Sequence, residues 1–154
     1  ENVLTDEYSE GDQPRVLEAL KNSGFEERLS SLNEGIHTPL TKEFDQNGIN
    51  LSGGEAQKVA ISRVFAKDCE IVILDEPSSA LDPMTEYELN NTLMTALDKT
   101  VIIISHRLST TRMADVIYML ENGEIIEQGS HDELMQTGGK YAEMFLKQAE
   151  KYNF

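Results

Sequence analysis

Basic residues are scarce in this sequence. Its 154 residues carry 13 Lys and Arg against 28 Asp and Glu, a formal net charge of −15. The excess is even along the chain: residues 1–50 hold 11 acids and 4 bases, residues 51–154 hold 17 and 9. No basic stripe exists, so a duplex-binding surface is not expected and no nucleic-acid partner is predicted. An acidic chain also gains nothing from an anionic membrane surface. The single cysteine, Cys69, excludes an internal disulfide and a multi-cysteine metal site. Its place beside an apolar strand reads as a small core residue. Apolar runs extend only a few residues, well short of the roughly 20 that a membrane-spanning helix needs. The phosphate-loop pattern G-x-x-x-x-G-K-[ST] is missing too. Gly139–Lys140 is the one Gly–Lys pair, Tyr141 follows it, and no glycine precedes it at the required spacing. It reads as a helix break.

A hydrophobic content of 39% with 27% charged residues fits a globular domain able to bury a core. Residues 1–50 contain no convincing apolar strand. Val16, Leu17 and Leu20, then Phe25, Leu29 and Leu32, recur at three- and four-residue spacing and predict two short amphipathic helices. Pro14 suits a first helical turn, and Asn22–Ser23–Gly24 is a stop signal. Residues 35–50 read as loop.

From Gly53 the pattern changes. Ala56, Val59, Ala60, Val64 and Phe65 fall on one helical face. An apolar strand over 70–74 follows, then a helix from about Pro83 to Leu97 with Asp82 as N-cap and Leu89, Leu93, Met94 and Leu97 on its apolar side. A second apolar strand covers Val101–Ile104, and a short helix lies around 108–113. Two strands, 115–120 and 124–128, join through Asn122–Gly123, a strong hairpin signal. Ser130 with Glu133 predicts a capping box, and a last helix spans about 140–151. Alternation of helices with continuously apolar strands implies an α/β fold whose mostly parallel sheet is covered on both faces, with the hairpin as an antiparallel edge. The expected division is a helical part over 1–66 and a strand-bearing part over 67–154.

The chemistry gathers between Leu51 and Asp82. Ser52–Gly53–Gly54–Glu55 offers a hydroxyl and unobstructed backbone amides at a helix N-terminus, a surface suited to phosphate. An SGG triplet is also a common turn. The strand Ile71–Leu74 delivers two acids, Asp75 and Glu76, at its C-terminal end, where open α/β sheets place ligands. Strand alternation sends them to opposite sides. One carboxylate can reach a metal ion and the other can orient or deprotonate a water. A strand end followed by a helix-capping acid is the plainer reading of such a pair. His106 follows the second apolar strand and can donate to a phosphate oxygen from a ring nitrogen. A histidine in that place is more often structural. His37 and His131 lack this context and receive no role.

Leu51–Glu55 before a helix, then Ile71–Asp82, then Val101–Arg107, resembles the nucleotide-binding domain of ABC transporters, most of all exporters with fused membrane helices. The match runs closely from Leu51 to about Gln136. The resemblance implies part of a P-loop ATPase core with a small α-helical subdomain. It implies ATP and Mg²⁺ as cofactors and coupling of ATP hydrolysis to export. It assigns Ser52, Gly53, Gly54 and Glu55 to the signature that touches the γ-phosphate, with Glu55 where glutamine is also common. It assigns Asp75 to Mg²⁺, Glu76 to polarising the attacking water, Asp82 to communication across a dimer interface, and His106 to the γ-phosphate. It implies a second nucleotide-binding domain and transmembrane domains, reached through residues 1–50, as partners. Glu43 reads equally as an acidic contact to those membrane helices or as a solvated loop acid. The implied location is the cytoplasmic face of the cell membrane.

The start at Glu1 rather than Met, the likeness of Glu1–Leu4 to the segment after the family's Q-loop, and the missing phosphate loop lead to one expectation. The chain is a C-terminal portion, inactive alone and prone to self-associate. The alternatives are a soluble ABC ATPase of translation or repair, and a non-catalytic interaction module. Intact Glu76 and His106 weigh against the latter.

Overall fold

The computed structural model describes residues 2–5, 7–43, 45–96 and 98–150. The chain divides into two compact units, Glu1–Ile104 and Ser105–Phe154.

In the first unit, α1 spans Gln13–Asn22 and α2 spans Glu26–Ser30. Gly24 ends α1 with φ of 74°, a left-handed conformation that a side chain would oppose. That geometry lets the Phe25 amide reach Leu20 O at 2.9 Å and the Gly24 amide reach Lys21 O at 2.9 Å. These two bonds satisfy carbonyls that a helix end otherwise leaves unpaired. Phe25 is thereby turned inward, with Val3, Leu4, Val16, Ala19 and Leu20, into a small apolar cluster. The stretch read as loop contains one turn of 3₁₀ helix at Gly35–His37 and is closed by Ile49 N donating to Pro39 O at 2.9 Å.

The next helix, α3, spans Gly53–Ala66. Val59 and Ala66 enter the helical cluster, whereas Ile61 joins a second cluster with Val72, Leu74, Leu81, Leu89 and Leu93. Its buried residues are Val59, Ile61, Ser62 and Ala66, while Ala56 and Ala60 are exposed. A single apolar stripe is therefore not the pattern, because α3 is packed on two sides and shared by two cores.

Strand β1 (Ile71–Asp75) pairs in parallel with β2 (Thr100–Ile104), Leu74 opposite Ile103 and Asp75 opposite Ile104. Helix α4 spans Pro83–Ala96 between them. Val72 and Leu74 are buried, but Ile71 and Ile73 remain 60% and 66% exposed, and Ile102 and Ile104 about half exposed. The uninterrupted aliphatic runs predict burial on both faces; among the described residues of this unit only one face of the strand pair is covered. Leu97, expected to complete the α4 face, lies outside the described residues.

The second unit contains α5 (Leu108–Thr111), β3 (Ile117–Glu121), β4 (Glu124–Gly129), α6 (His131–Thr137) and α7 (Lys140–Glu150). Asn122 and Gly123 take φ of 51° and 83°, as a two-residue hairpin turn requires. The hairpin is antiparallel, as read, and among the described residues it forms a two-stranded sheet of its own. The Ser130–Glu133 capping box forms as read, and Gly138, at φ of 66°, ends α6. The Glu127 carboxylate accepts the amides of Lys140 and Tyr141 at 2.6 and 3.0 Å and so caps α7. Gly139–Lys140 is thus the junction of two helices. No described helix is long and apolar enough to cross a membrane.

Candidate functional site

Ser52 is extended, with φ of −65° and ψ of 164°, and caps α3. Its Oγ accepts the Glu55 amide at 3.2 Å, and the Ser52 amide donates to Glu55 Oε2 at 2.7 Å. This reciprocal box fixes the loop conformation, and the helix leaves its first amides without intrahelical acceptors. The negative charge of Glu55 would oppose an anion here, but Arg28 Nε of α2 lies 2.8 Å from its Oε1. The N–H is not aligned for a hydrogen bond, so the contact is an ion pair. The Ser52 hydrogen bonds, helped by Arg28 and Lys58, hold the Glu55 carboxyl below the ordinary carboxylate range.

The loop glycines face the turn after β1. A Cβ on Gly54 would lie 3.2 Å from Ala80 O and 3.7 Å from a Leu81 methyl, and one on Gly53 would lie 3.8 Å from Ala80 Cβ. Gly54 therefore allows two backbones to approach closely.

At the end of β1, Asp75 stands on the open face of the strand pair, as Ile71 and Ile73 do, and is exposed. Glu76 is exposed as well. Its backbone takes φ of 46°, which breaks the strand alternation. Its amide donates to Ile104 O at 2.9 Å, and its carbonyl accepts from Ser79 N at 3.2 Å. Pro77 and Ser78 are buried, and Ser78 Oγ donates to the buried carboxylate of Glu86 at 3.1 Å. Asp82 Oδ1 accepts the amides of Met84 and Thr85, each at 3.1 Å, while Thr85 Oγ1 donates to Oδ2 at 2.6 Å. Those bonds, the Thr85 hydroxyl first, lower the Asp82 pKa. Asp82 is the N-cap of α4, as its place before Pro83 predicts.

His106 is the second residue of the second unit. It is exposed, and its carbonyl accepts Gln148 Nε2 at 3.0 Å. His131, which received no role, packs against Phe145 at 4.7 Å between ring centroids and bonds the buried Tyr141 hydroxyl through Nδ1 at 2.9 Å. That is a core arrangement.

Two residues pass unnoticed in a reading of the sequence. Gln57 reaches the 76–80 turn from α3: Nε2 lies 3.3 Å from Glu76 O and 3.4 Å from Ser79 Oγ, and Oε1 accepts the Ala80 amide at 3.0 Å. A polar residue on a helix's second turn gives no signal of this. Glu86 does give one, since it sits three residues before Leu89 and seven before Leu93, on the buried stripe of α4. Ser52–Gly54, Gln57 and Glu76–Ala80 are thus assembled into one site in the first unit.

A family model described as ABC transporter matches residues 3–79. The chain is similar to the ATP-dependent lipid A-core flippase of Alcanivorax borkumensis, 37% identical over 145 residues that cover 94% of this chain and 24% of the flippase. It is 38% identical over 147 residues to the ABC-type transporter fsqE of Aspergillus fumigatus, covering 94% of this chain and 11% of that protein. Among solved structures it is similar to a bacterial Atm1-family ABC exporter with ATP bound, at a TM-score of 0.80 and 37% identity over 96% of this chain and 25% of the exporter. The chain spans about a quarter or less of the length of these proteins. A half-chain match to the family, a shared fold and the signature loop seated against an acid-bearing strand agree: this chain belongs to the ABC transporter family and has the fold of an exporter-type nucleotide-binding domain.

Proposed function

We propose that the chain serves the ATP-hydrolysing part of an ABC exporter, working at the cytoplasmic face of a membrane. The observation that carries this reading is the junction of the α3 N-terminus and the β1 end through Gly54 and Gln57. One face of that junction offers Ser52 and glycine amides to a phosphate, and the other offers exposed carboxylates at a strand end. Two such surfaces serve two nucleotides, which calls for a second nucleotide-binding domain as partner. Ser52, Gly53 and Gly54 would bind phosphate, with Glu55 holding the loop in shape. Asp75 would contact Mg²⁺, Glu76 would orient the attacking water, and His106 would meet the γ-phosphate. Asp82 would lie towards the partner domain.

The donor set fits magnesium in a limited way. No cluster of three or more His, Cys, Asp or Glu able to hold a metal occurs among the described residues. Mg²⁺ commonly keeps waters and takes one or two carboxylates together with nucleotide phosphates, and a single exposed aspartate suits that role.

Residues 1–50 are the proposed contact to transmembrane domains. A cavity of about 320 Å³ opens among Tyr8, Phe25, Leu29, Ile36, His37 and Pro39, and Glu43 is exposed nearby in the chain. Division at about residue 66 into a helical layer and an ATPase-core part remains the proposed functional organisation.

The test is ATP turnover by an exporter assembly that includes this chain. Glu76→Gln is expected to lower kcat about 100-fold or more while nucleotide binding persists. The 154 residues alone, holding no phosphate-loop lysine, are expected to show no turnover. Unchanged turnover of the Glu76→Gln assembly would refute the assignment.

A further inference from the structure

We propose that Gln57 is a positioning residue, which ties the first turns of α3 to the 76–80 turn and holds the backbone that carries Glu76. The inference rests on the exporter reading for its functional meaning, and on geometry for the contact itself.

Glu76 has φ of 46°, a region that non-glycine residues occupy only when their surroundings hold them there. Its amide is fixed by β2 through Ile104 O. Its carbonyl accepts from Ser79 N at 3.2 Å and from Gln57 Nε2 at 3.3 Å. The same glutamine accepts the Ala80 amide at 3.0 Å, so one planar amide spans both ends of the turn. A carboxylate could only accept there and an ammonium could only donate; a primary amide does both. Asparagine shares that chemistry but is one methylene too short to keep both contacts from the same backbone position. The half-buried placement of Gln57 and the close fit of Gly54 on Ala80 leave this turn little room to shift against α3. A displacement of the nucleotide-facing end of α3 therefore moves the backbone of Glu76 with it. The bond is local, yet it joins the two surfaces that the proposed function assigns to different nucleotides.

Two measurements test this. The first uses the 154-residue chain and needs no activity. In Gln57→Leu, amide exchange at Ala80 is expected to rise and the ¹³C shifts of Glu76 to lose their positive-φ character, with far-ultraviolet circular dichroism unchanged. In Gln57→Glu, Ala80 is expected to stay protected because an acceptor remains, while the Glu76 carbonyl loses the side-chain donor and keeps only that of Ser79 N. Unaltered Ala80 exchange and Glu76 shifts in Gln57→Leu would overturn the contact. If Gln57→Leu does not fold, Gln57→Asn and Gln57→Glu decide the same point. The second measures the exporter assembly. Gln57→Leu is expected to lower kcat about 10- to 100-fold with KM for ATP changed less than about threefold, as expected when a catalytic group is misplaced. An equal fall in stability without that split, or an unchanged kcat, would overturn the positioning role. A wild-type assembly with no turnover would count against the exporter reading, and the chain-level measurement would still decide Gln57.

Discussion

Glu55 shows how one carboxylate can serve a helix end. It closes the capping box with Ser52 and pairs with Arg28. Hydrogen bonds from Ser52 are the largest cause of its lowered pKa. The folded state thus favours the charged form relative to the ordinary value of 4.5. Its stabilising contribution is complete above that value and is lost as pH falls through the depressed folded value. A glutamine in its place could still cap but would not titrate. Wild type is therefore expected to lose its advantage over Glu55→Gln in the acid window that opens as pH falls below 4.5, as read from urea midpoints. A difference that stays constant across that window would remove Glu55 from the acid response. Ser52→Ala should cost about 1 kcal/mol at neutral pH, the usual loss for an N-cap. The residues legible at this scale are those that chemistry places at element ends: Ser52, Asp75, Glu76 and Asp82. Gln57 was illegible because its partners, Glu76 O and the Ala80 amide, are backbone atoms 19 and 23 residues away.

The elements were largely legible because caps and turns are local. Asp82 before Pro83, Asn122–Gly123 and Ser130 with Glu133 each satisfy their own backbone within a few residues. The buried side of α3 was harder to read. Its sequence suggests one stripe, yet Val59 and Ile61 serve different clusters. Periodicity reports that a helix is amphipathic, and cannot report that two neighbours compete for it. Helix α4 is simpler. Leu93 is fully buried against the β1–β2 sheet, in the cluster with Val72, Leu74 and Leu89. Leu93→Ala removes atoms from a packed site that can only partly collapse, and should destabilise the first unit by about 2–5 kcal/mol. Met94→Ala, one position round the helix and half-buried, should cost clearly less. Equal shifts in the denaturation midpoint for both would mean that α4 does not pack in this orientation.

For the whole molecule, the open face of the β1–β2 pair matters most. Ile71, Ile73, Ile102 and Ile104 stand there beside Asp75, and all four are about half exposed or more. The continuous aliphatic runs call for cover on both sides, because strand composition records what a face requires and not what supplies it. Burying an isoleucine gains about 1.5–3 kcal/mol, so four together favour association of one copy with another. The net charge of −15 opposes this by mutual repulsion. The two terms respond to salt differently. Added salt screens the repulsion, with a Debye length near 8 Å at about 0.15 M, and leaves apolar burial in place. The isolated chain is therefore expected to self-associate with rising concentration, and more strongly at high salt than at low. Introducing Ile73→Lys together with Ile102→Lys should suppress association at every salt concentration while circular dichroism remains that of the parent, since neither side chain enters a core cluster. Sedimentation of the wild-type chain as a monomer at high concentration and high salt would show that this face is not sticky enough to act.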